Sequence, residues 1–202
     1  MKKTLLILFS ALSCCFYAQS YSEKEFQQAV GQVNAAKTEN DYDNAFKKLS
    51  MFTSTKPTDR WQAYYYAAVS MYLKAESSLK KGSGQEGAEA NAFASKYANA
   101  AKASQSNTET DVLTGLIAVQ KMQISNSKDA QDLRMISELA SKAGSDMPNN
   151  PRAAILKAKI QEQMGNKENA EKLFQQAKSG FESKSSSAGF APNWGRQLIL
   201  NN

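Results

Sequence analysis

The sequence predicts an all-helical fold, a stack of about four antiparallel helical hairpins. Three observations predict it. Apolar residues recur at three- and four-residue intervals along most of the chain, and no stretch sustains two-residue alternation. Only four prolines and ten glycines interrupt the 202 residues, which favours long regular elements over many tight turns. The small and apolar residues that close one hairpin recur in the next at a spacing of 34 residues, from Ile136 to Ala170.

The elements follow in order. Met1-Lys2-Lys3 is a positive start, Leu5 to Phe16 a short apolar stretch, and Tyr17-Ala18 precedes the polar Gln19-Ser20. This reads as a secretory signal peptide over residues 1–18, cleaved after Ala18, and it is too short for a permanent transmembrane helix. Cys14 and Cys15 raise a lipid anchor as the rival. The residues before them, Ala11-Leu12-Ser13 and Leu12-Ser13-Cys14, match a lipoprotein signal poorly, so simple cleavage is preferred. Residues 19–202 form one domain, long enough for a continuous core.

Within it, Ser22 to Glu25 reads as a capping box, and Phe26, Ala29, Val30 and Val33 form one helical face. Thr38 to Asp41 is a turn. Tyr42, Ala45, Phe46, Leu49 and Phe52 form the partner face, which Pro57 is expected to stop. A long helix from Thr58 to Lys80 carries Trp61, Tyr64, Tyr65, Tyr66 and Tyr72. Gly82 to Gly87 reads as a flexible loop, followed by an alanine-rich helix over Ala88 to Ala103. Thr108 opens a helix through Met122, and Ser125 to Lys128 is a turn. Ala130 to Gly144 is the next helix. Asn150 caps the following one, with Pro151 at its first position, where a missing N–H costs nothing. Gly165-Asn166 breaks the chain before the last helix, whose face is Ala170, Leu173, Phe174, Ala177 and Phe181. Links this short fold successive helices back as antiparallel hairpins. A C-terminal apolar segment, Trp194 with Leu198, Ile199 and Leu200, is expected to cap the last hairpin.

Ala158, Gly165 and Ala170-x3-Phe174-x2-Ala177 resemble a tetratricopeptide repeat. The preceding hairpin ends Ile136-x3-Ala140-x2-Ala143-x4-Pro148, and the first reads Ala45-x3-Leu49-x2-Phe52-x4-Pro57. Small residues let paired helices approach, and the large apolar residue fills the gap to the next pair. The repeats are degenerate. Glu182 stands where a closing proline belongs, and the second hairpin fits the period badly. Over nearly its whole mature length the chain resembles small exported tetratricopeptide-like proteins of Gram-negative bacteria. That resemblance implies a fold and a periplasmic or outer-membrane-associated location, and adds little about function.

The chemistry available is narrow. The chain has no histidine, and its two cysteines lie in the leader, so histidine- and thiol-based catalysis and zinc sites are not expected. Asp41, Asp43, Asp129 and Asp132 read as helix N-terminal charges rather than an acid pair. Gly82-Ser83-Gly84-Gln85-Glu86-Gly87 matches G-x-G-x-x-G but follows a helix, whereas a dinucleotide site needs a preceding strand. The net charge of +6 falls to +4 without Lys2 and Lys3, and the basic residues are dispersed among acids, so no nucleic-acid partner is expected. The chain therefore reads as a non-enzymatic protein without cofactor or metal.

The aromatic cluster on the long helix is read first as core. The functional alternative uses the three-residue spacing of Trp61 and Tyr64, which would face a concave groove together with Ala68. Arg152, Lys159 and Glu162 would line the same groove; solvated surface is the plainer reading of those charges. The function expected is a periplasmic or cell-surface interaction scaffold that binds a protein or peptide segment in that groove. The alternative is a carrier or sensor of a small or lipidic ligand held between hairpins.

Overall fold

A computed structural model describes residues 23–54, 57–127, 129–183 and 192–199. The leader, its cleavage point, Cys14, Cys15, Ser22 and Leu200 lie outside the described residues. Among the described residues, eight α-helices follow one another: α1 Glu23–Ala35, α2 Glu39–Met51, α3 Pro57–Lys80, α4 Gly84–Ser104, α5 Thr108–Ser125, α6 Ala130–Asp146, α7 Pro151–Gln163 and α8 Lys167–Ser183. Two short 3-10 turns, Phe52–Ser54 and Arg196–Leu198, complete the described residues, among which there is no strand. No helix among them is long and apolar enough to cross a membrane.

Side chains at the helix starts set the boundaries. Thr38 and Asp41 form a reciprocal capping box, so α2 begins at Glu39 and the expected turn over Thr38 to Asp41 is shorter than the sequence suggested. Asn107 and Thr110 make the same arrangement for α5, and Asp129 caps α6 through the N–H groups of Gln131 and Asp132. Pro57 does not stop α2. That helix ends at Met51 in a 3-10 turn, and Pro57 opens α3, where proline is well suited. The expected loop over Gly82 to Gly87 is likewise mostly helix, since α4 begins at Gly84. Gly87 is buried where α4 crosses α3; a Cβ there would lie 3.3 Å from the Leu79 side chain, so glycine permits the close approach.

Every helix packs on its successor, and the odd-numbered helices also touch in sequence, α1 on α3, α3 on α5 and α5 on α7. The odd helices therefore form a continuous row. Their residues dominate the core: Tyr65, Tyr66 and Tyr72 of α3, Leu113 and Leu116 of α5, and Ile155 and Leu156 of α7 are fully buried. Small residues set the spacing between helices, with Ala45, Ala94, Ala101, Ala158 and Ala177 without exposure or nearly so. In the last hairpin Ala158, Ala170 and Phe174 are all buried in this core.

Candidate binding face

Arg152 sits in the first turn of α7, one residue after Pro151 and two after the cap Asn150. Its guanidinium is buried and forks onto Glu109 of α5: Nε donates to Oε2 at 2.9 Å and Nη2 to Oε1 at 2.6 Å. Glu109 accepts two more hydrogen bonds, from Asn150 Nδ2 at 2.7 Å and from the Tyr65 hydroxyl at 3.2 Å. Asn150 thus does two jobs, because its side-chain oxygen also caps α7 by accepting from the Arg152 amide. Burial opposes ionisation of Glu109. The hydrogen bonds and charge of Arg152, helped by Asn150 and Tyr65, outweigh it and hold the carboxyl below its ordinary pKa. Burial, reinforced by the Glu109 charge, pushes the Tyr65 phenol well above its ordinary value. The phenol therefore keeps its proton and donates to Glu109.

A second ion pair lies further along the same row. Lys159 Nζ donates to Glu76 Oε2 at 2.9 Å, joining α7 to α3. Gln120 of α5 donates to Glu76 Oε1 at 2.8 Å and to the Tyr72 carbonyl at 3.1 Å, and accepts from Asn91 of α4 at 2.9 Å. The solvated surface expected for Arg152 and Lys159 is thereby corrected: they are 2% and 8% exposed, each neutralised by an acid from another helix. Glu162 remains exposed.

The C-terminal segment lies across this row. Trp194 has no exposure. Its indole N–H donates to the Tyr65 hydroxyl at 2.9 Å, and its ring meets Tyr65 and Tyr72 at centroid distances of 6.4 and 6.1 Å. The Arg152 guanidinium lies 5.8 Å from the same ring, a cation–π distance. Arg152 Nη1 donates to the Pro192 carbonyl at 2.7 Å. Asn193 meets Asn34 of α1, and Arg196 donates to the Phe181 carbonyl of α8. Trp194 was expected to cap the last hairpin. The segment does meet the last hairpin, through Arg152 over the indole, Gly195 against Phe181 and Ile155, and Arg196 over the Phe181 ring at 5.2 Å, but the indole N–H finds its acceptor on α3.

The structure thus brings Arg152 together with Tyr65, Glu109 and Trp194, and places Lys159 with Glu76. Trp61 is half-buried and packs on Tyr65, with ring centroids 5.9 Å apart, at the margin of the Arg152 cluster. Tyr64, also half-buried, turns to Tyr97 of α4 at 5.9 Å and is not part of it. Ala68 is fully buried. The residues of the aromatic run that meet the C-terminal segment are Tyr65 and Tyr72, neither of which belongs to the Trp61–Tyr64 pair.

Two hollows flank these residues. One, of about 270 Å³, lies beside the C-terminal segment and is lined by Lys37, Tyr42, Leu73, Glu76 and Lys80, with Leu198 at its edge. The other, of about 520 Å³, opens between α4, α5 and α6 and is lined by Ala98, Ile117, Met122, Met135 and Ile136 under a polar rim. No protein-family model, curated protein or solved structure matches this chain.

Proposed function

We propose that the chain is an exported interaction scaffold, in the periplasm or associated with the outer membrane, whose helices stack as a degenerate tetratricopeptide-like superhelix. In this reading the odd helices line a concave groove that receives a segment of a partner protein. One observation carries it: side chains of the odd-helix row already hold a non-helical piece of chain, Pro192 to Gly195, through an arginine–carbonyl bond and a socketed indole. Arg152 and Lys159 act from beneath, as braced groups that shape the face. Trp61 stands at its margin and offers rigid amphipathic surface to a partner. Tyr64 contributes by fixing α3 against α4.

The reading is tested by placing a photo-crosslinking side chain at Lys80, beside the smaller hollow, and at Met164, which is exposed on the link between α7 and α8. A discrete adduct from the Lys80 position in intact cells, absent from the Met164 position, is expected. Equal labelling from both, or none, would sink it. Mass spectrometry of the native N-terminus tests the location: a mature chain starting at Gln19 is expected, a chain retaining Met1 refutes export, and a lipid on Cys14 or Cys15 moves it to the anchored form.

The apolar cleft between α4, α5 and α6 favours one second reading, carriage of a small apolar ligand. Native mass spectrometry of chain purified from its own envelope separates the two, since a carrier retains a bound small molecule that a scaffold lacks.

A further inference from the structure

The C-terminal segment fits its site through a small set of chemical features, and each has a structural cause. The indole fills a slot walled by Tyr65, Tyr72 and Arg152, with one hydrogen bond to the only polar atom it carries. Gly195 follows at φ +109°, a left-handed conformation that favours glycine. A Cβ there would lie 3.1 Å from the Phe181 ring and 3.4 Å from Arg152 Cγ, so the slot admits Trp-Gly and resists Trp followed by a larger residue. Two residues before the indole, recognition is through a backbone carbonyl, which any residue can supply.

The walls of this slot are held by the helical body. All four hydrogen bonds accepted by Glu109 come from Arg152, Asn150 and Tyr65, none from the C-terminal segment. Withdrawing that segment leaves the carboxylate satisfied and exposes one guanidinium nitrogen and one phenol oxygen to water. Trp194, Gly195 and Leu198 anchor the segment in the core, and its other described residues reach the surface. Asn193 and Arg196 are exposed, and the hollow beside Leu198 shows that the face continues beyond what the segment fills.

We infer that this face is a recognition site for a protein segment carrying Trp-Gly, and that the chain's own Pro192–Ile199 occupies it in cis as a competitor. The inference rests on the groove reading above and adds the partner's chemistry and its regulation. A tethered competitor acts at an effective concentration that reaches the millimolar range for short linkers, so a partner segment binds the free site far more tightly than the intact chain. Removing the tethered indole should therefore release the site.

The test uses the full chain bearing Trp194→Ala and a fluorescent peptide of sequence 191–202, read by anisotropy. The Trp194→Ala chain should bind this peptide roughly tenfold or more tightly than the wild-type chain does. It should not bind peptides in which Trp194 or Gly195 is replaced by alanine. A folded Trp194→Ala chain that ignores the wild-type peptide overturns the inference. If that variant fails to fold, a protease site is introduced within 184–191 of the otherwise native chain, and the chain is cut. Exchange of the cut segment for labelled peptide, with the body still folded, supports the inference. A segment that never exchanges, or a body that unfolds as it leaves, makes it ordinary core and overturns the inference. Failure here with a persisting Lys80 adduct removes only the Trp-Gly specificity, whereas loss of both removes the groove reading.

Discussion

Glu109–Arg152 and Glu76–Lys159 are both acid–base pairs between odd helices, and both end on α7, yet they are built differently. In the first, a planar fork meets a carboxylate from two directions, and Asn150 and Tyr65 complete it. The side chains are 3% and 10% exposed. In the second, a single ammonium meets one oxygen, with Gln120 on the other, and the acid borders a hollow. The difference follows from the cations. A guanidinium presents donors at fixed angles and can satisfy a carboxylate while keeping one nitrogen for a further ligand; an ammonium is a point charge. The first pair is thus suited to form the rigid floor of a binding slot. The second, with side chains 10% and 11% exposed, is a tie between helices completed by fewer partners.

The largest effect should come from breaking the forked pair. Arg152→Ala leaves Glu109 buried without its cation and should cost about 3–5 kcal/mol in urea denaturation. Arg152→Lys should recover only part of this, because it restores the charge without the fork. A loss below about 1 kcal/mol for Arg152→Ala would show that the forked pair is not the firmer of the two. Lys159→Ala should cost less, about 1.5–3 kcal/mol, the range for a hydrogen bond to a charged group. Lys159→Met, which keeps an unbranched stem of similar length in the buried site, should fall at the low end. Equal losses at Arg152 and Lys159 would erase the comparison.

Acid titration sharpens it. Glu109 has its folded pKa below the ordinary value of 4.5, so its ionisation stabilises the fold above that pH. The contribution is fully present above about pH 4.5 and is lost as pH falls through the lower, folded value. Wild type should therefore exceed Glu109→Gln in stability at neutral pH, and the two should converge in stronger acid. Melting curves from pH 7 to pH 3 check this. Parallel curves across that range would mean that the Glu109 carboxylate is not the group responsible.

The helices and several of their caps were legible because their causes are local. Asn150-Pro151 and Gly165-Asn166 mark boundaries by their own backbone chemistry, and α7 starts and ends, and α8 starts, where those residues put them. The short link before α4 was missed because packing of Gly87 against Leu79 on another helix favours helix where glycine alone suggests loop. The candidate site was hidden for the same reason on a longer scale. Glu109 and Arg152 lie 43 residues apart, and Tyr65 and Trp194 lie 129 apart. In sequence, Glu109 reads as an ordinary acid at a helix start. One local signal did point to the site. Arg152 occupies the first turn of α7, where the helix dipole disfavours a cation, and such a conflict is resolved by a partner acid from elsewhere. Lys159, set between Ala158 and Ile160 in an otherwise buried stretch, carries a weaker form of the same signal.

The smallest effect should come from an ion pair whose geometry is as good as either buried one. Glu168 and Lys172 on α8 are four residues apart, with Nζ 2.6 Å from the carboxylate, the same separation as the shorter bond of the Arg152 fork. Their side chains are 68% and 82% exposed for the lysine and the acid. Water already solvates both charges, so forming the pair gains little and fixes two long side chains. The acid precedes the base, the favourable order on a helix, and lies in the first turn, where the dipole favours it. A double-mutant cycle through Glu168→Ala and Lys172→Ala should therefore return a coupling of about 0.3–0.5 kcal/mol, and added salt should reduce it further. The same cycle through Glu109 and Arg152 should return several times more and respond weakly to salt. Comparable couplings in the two cycles would mean that distance sets the strength of these pairs. Unequal ones would assign the difference to burial and to the partners that complete each charge.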